Sequence, residues 1–167
     1  MTFVVPFDGC DLAEAALVRA VEFSQVLEEP VVAVTVIPEG NTEYARERDW
    51  IGPDEPFEMN SVVETLHKQV INLAPNADFR HLAVDWHAPP GQIASELRRF
   101  ATSENTSMVF IGSENAGRMV TGLSSVGGAV AAEDSYDVVI VQNSMPSKVE
   151  SVSSLSPYEK PKSDFYL

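Results

Sequence analysis

Two stretches of this chain carry residue types from which a phosphate or nucleoside site can be built. In FVVPFDGC, residues 3–10, Asp8 follows a short apolar run and precedes a glycine. A carboxylate at a strand end can accept a hydrogen bond from an adenine amino group or a ribose hydroxyl. An aspartate in a turn equally bonds its neighbouring backbone amides, and taken alone that is the commoner role. The second stretch is GSENAGRMVTGLSSVGG, 112–128, which follows the apolar run MVFI. Glycines let backbone amides approach an anion closely, and amides at a helix start carry partial positive charge. Ser124 and Ser125 fall where the next helix should begin, so they can cap it, donate to a phosphate, or both. Arg118 is either a phosphate counter-charge or a solvated surface arginine. Nothing in the stretch reads GxxxxGK[ST], which excludes a Walker-type phosphate loop.

The remaining chemistry-bearing residues are sparse. His67 stands beside Lys68 and Gln69 in a helical pattern and reads as a surface residue. His81 and His87 flank an expected strand with no second ligand at metal spacing, so no metal site is expected. His87 borders the expected ligand edge. Cys10 precedes a helix start, where a thiol pKa can fall, or it packs as a small residue in the turn. No acid–base pair or nucleophile with a base is visible, so no enzyme is expected.

The elements that would hold these residues alternate in period. FVVP (3–6), VVAVTVI (31–37), MVFI (108–111) and VVIV (138–141) are short apolar runs that suit strands covered on both faces. FRHLAVDW (79–86) alternates like a peripheral strand. Between the first two runs lies a helix with Leu12, Ala16, Ala20, Phe23 and Leu27 on one face, capped by Asp11 with Glu14 three residues on. Ser61 and Glu64 repeat that capping-box spacing before Val63, Leu66, Val70 and Leu73. A helix after Pro90 turns Ile93, Leu97, Phe100 and Ala101 inward, and a small one is expected near 124–134. The polar segment 38–60 is long for a loop and is a possible lid, in which Tyr44 and Trp50 either close over a base or anchor the loop to the domain. Strands separated by helices predict a five-stranded, open, parallel α/β sheet with helices on both faces. Ligands of such sheets bind beyond the carboxyl ends of the strands.

Composition narrows the partners. The 167 residues, 44% of them hydrophobic, suit one domain over 1–142, and the tail 143–167 carries little hydrophobic pattern and is expected to be disordered. The 25 acidic and 11 basic residues give a net charge of −14, which disfavours nucleic acid and anionic membranes. Only four lysines are present, three of them in the last twenty residues. An acidic, lysine-poor chain is what a salt-rich cytoplasm favours, so a salt-adapted, haloarchaeal-like protein is expected. A single cysteine, no signal peptide and no membrane-length apolar run are consistent with a soluble cytoplasmic protein.

The segments VVPFDGCDLAEAAL, VVAVTVIPE and MVFIGSENAGRMVTGLSSVGGAVAAEDSYDVVIVQ resemble the opening, second strand and closing unit of universal stress proteins of the UspA type. The resemblance covers roughly residues 2–142 and is weakest over 38–60. It implies a Rossmann-like sheet of order 3-2-1-4-5, a homodimer pairing its last strands (here Val138–Val141), and in many members binding of ATP or AMP, with at most slow ATP hydrolysis. Such members carry a Gly-x2-Gly-x9-Gly-Ser/Thr pattern; members without it bind no ATP. The net acidic charge makes Mg²⁺ the expected companion of a bound ATP. Carried onto this chain, Pro6 opens the family's turn, Asp8 is its adenine-side aspartate, Val36 meets the base through its backbone, and Gly112 is the first glycine. The second glycine falls on Asn115, with Gly117 two residues on. Gly127-Gly128 keeps a nine-residue gap from Gly117 but leaves a short helix before VVIV. Ser124-Ser125-Val126 preserves that helix and is the preferred match. The pattern is therefore degraded: Ser124 adds a Cβ, Ser125 keeps the hydroxyl, and Asn115 tolerates positive φ better than most residues. Two functions follow, a stress-response protein that binds adenine nucleotide, or a dimerisation and interaction module of the same fold that no longer does.

Overall fold

A computed structural model describes residues 1–112 and 136–143. The apolar runs become parallel strands: β1 (Thr2–Pro6), β2 (Val31–Pro38), β3 (Asp78–Val84), β4 (Thr106–Ile111) and β5 (Asp137–Ile140). They form one sheet in the order β3-β2-β1-β4-β5. The register sets Phe3 beside Val31 and Met108, and Val109 beside Val138. The helices are α1 (Asp11–Leu27), α2 (Thr42–Glu47), α3 (Met59–Leu73) and α4 (Pro90–Ser103). This is the five-stranded parallel α/β sheet expected from the alternation of periods, in the Rossmann-like order 3-2-1-4-5 that the resemblance implies.

Side-chain alternation divides the sheet's burial between two cores. Phe3, Val5, Phe7, Ala33, Ile37 and Phe110 pack under α1 and α3. Val4, Val32, Val34, Val36, Val109 and Ile111 pack with Ile93, Leu97 and Phe100 of α4. Every residue of β2 is buried, which is why its sequence shows no polar alternation. β1 is central yet ends in Pro6. The Phe7 amide donates to Val34 on the β2 side, and pairing with β4 has ended at Val4, so the missing proline N–H removes no ladder bond.

Several local readings need correction. The N-cap of α1 is Cys10, whose sulfur accepts from the Ala13 amide, while Asp11 lies in the first turn and Glu14 bonds Gln69 instead of closing a capping box. The buried stripe of α1 is Ala13, Ala16, Leu17 and Ala20, whereas Phe23 and Leu27 are exposed. α3 starts at Met59, ahead of Ser61, with no side-chain cap. β3 stops at Val84, leaving Trp86 exposed beyond it. The segment 38–60, expected as a loop, contains the helix α2 and buries Ala45, Trp50 and Ile51. The expected helix near 124–134 and all but Asn143 of the tail lie outside the described residues.

Candidate functional site

Strands β2 and β3 leave β1 on one side and β4 and β5 on the other, so the strand order reverses between β1 and β4. A crevice beyond the carboxyl ends is expected there. Asp8 lies just past β1 and Gly112 just past β4, which puts both at that point.

The turn after β1 is tied down on every side. Asp8 Oδ1 accepts the Cys10 amide at 3.0 Å, and Gly9 adopts φ 86°, a region L side chains avoid. The Asp8 carbonyl accepts the indole N–H of Trp50 at 2.7 Å, and the Gly9 carbonyl accepts from Gln69 at 3.0 Å. One residue earlier, the Phe7 carbonyl accepts the buried Thr35 hydroxyl. Asp8 thus fills the turn role that its sequence context favours, with its second carboxylate oxygen not engaged in that bond. Cys10 is exposed as a residue, but burial of its sulfur, followed by the adjacent Asp8 carboxylate, pushes the thiol pKa up to about 12. A helix start does not activate it, and it remains a protonated thiol at neutral pH.

Two clefts meet at Asp8. On the α4 face, Pro6, Asp8, Val36, Tyr44, Ile93 and Leu97 surround a space of only about 20 Å³, enough for about one water. Three residues expected from the sequence, Pro6, Asp8 and Val36, therefore do share one cleft. On the α1 face a broader cleft of about 740 Å³ runs past Asp8, Arg48, Trp50, Gln69 and Gly112. Asp11, Glu47 and Asp49 also line it, so its walls carry four carboxylates against one guanidinium. That balance opposes a bare polyphosphate and tolerates one accompanied by cations.

Gly112 is required by packing. A Cβ there would sit well inside contact distance of the Leu12 carbonyl oxygen and 3.0 Å from the Ala13 nitrogen. Its lack of a side chain lets the end of β4 lie against the first turn of α1. The other expected site residues, Asn115, Gly117, Ser124, Ser125 and Val126, and also Arg118, lie outside the described residues.

Of the two roles open to Tyr44 and Trp50, Trp50 anchors: it is 4% exposed and bonded to Asp8. Tyr44 lines the smaller cleft, with Trp50 edge-on at 5.6 Å and the Arg48 guanidinium 3.4 Å over its ring. Sequence reasoning missed Thr35, although it is the only polar residue in VVAVTVI, and also missed Ile93 and Leu97 as cleft floor. His67 is exposed and stacks on Phe79, while His87 is exposed and pairs with Asp85 at 3.0 Å. Among the described residues no group of three or more His, Cys, Asp or Glu is placed to hold a metal ion. No helix among them is long and apolar enough to cross a membrane.

No curated protein matches the chain. A universal stress family protein from Burkholderia pseudomallei is 17% identical, with 85% of this chain and 96% of that one covered and a TM-score of 0.52. A universal stress protein solved with cAMP is 20% identical, covering 85% and 96%, with a TM-score of 0.49. One from Archaeoglobus fulgidus solved with dAMP is 22% identical, covering 85% and 98%, with a TM-score of 0.45. The family model itself matches residues 1–142. With the sheet order, the position of Asp8 and Gly112 and that match together, the chain belongs to the universal stress protein family.

Proposed function

We propose that this protein binds an adenine nucleotide, ATP or AMP, at the carboxyl edge of β1 and β4 and acts in a stress response as a binding protein without catalytic turnover beyond slow ATP hydrolysis. The supporting observation is convergence: Val36 joins Pro6 and Asp8 of the turn after β1 in one cleft, and Asp8 shares the adjoining one with the sequence-distant Gly112. On this reading Asp8 faces the base or ribose, the Val36 backbone meets the base, and Gly112, Asn115, Gly117, Ser124, Ser125 and Val126 serve the phosphate side. Mg²⁺ accompanying ATP would offset the acidic walls of the larger cleft.

Calorimetry in molar KCl with AMP, ATP and Mg-ATP tests this. Binding that weakens in Asp8→Asn, which keeps the turn's acceptor oxygen, supports the reading. Absence of heat and of any melting shift at millimolar nucleotide would sink it. One observation favours the alternative, an interaction module: the α4-face cleft holds about 20 Å³, against roughly 300–1,000 Å³ for ordinary ligand pockets. On either reading we propose a cytoplasmic homodimer that pairs β5 edges over Val138–Val141. β5 ends the sheet and Ile140 is half exposed. Light scattering should show a dimer that Val139→Pro dissociates. We further propose salt adaptation from the net charge of −14, to be read as a melting temperature that rises from low to molar KCl.

A further inference from the structure

The walls of the small cleft differ in how firmly they are held. Pro6, Val34 and Val36 belong to central strands, Ile93 and Leu97 to the 14-residue α4, and Phe7 and Asp8 to the turn bonded by Thr35 and Trp50. Tyr44 comes instead from α2, a six-residue helix in which only Ala45 is buried. A helix of that length has almost no stability of its own. Arg46 ties it to Glu55 within the same segment, and the side chains of Asn41 and Trp50 tie its two ends to more distant parts of the chain. Asn41 accepts the Tyr44 amide at 3.0 Å and donates to the Trp86 carbonyl at 2.6 Å, holding one end to the loop after β3. Trp50, whose amide bonds the Ala45 carbonyl at 2.9 Å, holds the other end to Asp8.

Resting on the nucleotide-binding reading above, we propose that Tyr44 is the gate of the base pocket. Its ring closes the space beside Pro6 and Val36, and an adenine base enters only when α2 carries the ring aside. A planar base does not fit in about 20 Å³, and among the lining residues the tyrosine stands on the element that local opening displaces most readily. The movement separates Tyr44 from the Trp50 ring, now 5.6 Å away, and from the Arg48 guanidinium. Nucleotide occupancy is thereby converted into a change in the strap 41–51 at the protein surface. The nucleotide selects the open state, so its apparent affinity is reduced by the fraction of molecules already open.

The test uses the full chain in molar KCl. With Trp86→Phe, Trp50 is the remaining tryptophan, and its emission reports the strap during an AMP titration whose saturation is set by calorimetry. The expected result is an emission change that saturates with binding. Tyr44→Ala, which removes the ring, and Asn41→Ala, which leaves the ring and loosens α2, should each bind AMP about tenfold tighter, as for an open state populated at about 10%. Asn41→Ala carries the test if Tyr44→Ala does not fold. Weaker binding by Tyr44→Ala would mean that the ring holds the base by stacking, which overturns the gate. Normal AMP binding with constant Trp50 emission and unchanged affinity in both variants would also overturn it while leaving the binding reading intact. AMP binding by the variants alone would support it. No binding by any of the three proteins would overturn both proposals.

Discussion

Replacing Gly112 with alanine should damage the fold before it touches any ligand. The new Cβ would lie 2.5 Å from the Leu12 carbonyl carbon and 3.0 Å from the Ala13 nitrogen, against an optimal separation of about 3.5–4.0 Å between carbons. The obstructing atoms are helix backbone, so no side chain can rotate away. Relief requires α1 and the end of β4 to part by about 1 Å, in a region where Leu17, Phe110 and Ile111 are fully buried or nearly so. Overpacking of this kind costs about 1–3 kcal/mol, and rigid backbone on both sides places Gly112→Ala near the upper end, about 3 kcal/mol. For a chain of this size each kcal/mol lowers Tm by about 2–4 °C, so a fall of about 6–12 °C is expected. Gly91→Ala is the control. Among the described residues nothing lies within 4 Å of its Cβ, it is in α4 and its φ is not positive, so alanine there should leave Tm unchanged or raise it slightly. Thermal melts of the two variants beside the parent, at one salt concentration, decide the matter. A Gly112→Ala melt equal to that of Gly91→Ala would refute the packing argument and return Gly112 to a role in ligand approach alone.

Three other variants probe the same edge. Trp50→Phe loses the indole bond to the Asp8 carbonyl and part of a buried ring, and should cost about 2–3 kcal/mol in urea unfolding. Thr106→Val should stabilise by about 1 kcal/mol in the same assay, because the buried Thr106 hydroxyl has no hydrogen-bond partner among the described residues. Cys10, with its pKa pushed up to about 12, should alkylate roughly a hundred- to a thousandfold more slowly than a free thiol near pH 8. Its rate should rise about tenfold per pH unit and keep rising towards pH 12, since burial and Asp8 disfavour the thiolate; a plateau near pH 9, as for an ordinary thiol, would contradict that placement.

The strands were legible because burial on both faces leaves an unbroken apolar run, and all of β2 is such a run. Helix starts were less so. A cysteine sulfur capping α1 is an unusual acceptor, and α3 begins without any side-chain cap, so a search for capping boxes points to Asp11 and Ser61 instead of Cys10 and Glu58. The order within 38–60 was hidden for another reason. Its two ties, Trp50 to Asp8 and Asn41 to Trp86, span more than forty residues each, and no local pattern encodes them. The glycine loop shows how two demands can share one residue type. Gly112 is the residue that the resemblance assigns to the family's first glycine, yet the first turn of α1 already requires a residue without a Cβ there. Its presence would persist in a member that had lost its nucleotide, so it cannot discriminate between the two functions. Asp8 is similarly ambiguous, because its turn bond to Cys10 suffices to explain it. Tyr44 packs against both cores and closes the space between them. The choice between nucleotide binding and a closed interaction module therefore turns on whether α2 can move, which the affinity of Asn41→Ala measures most directly because that change leaves every wall of the cleft in place.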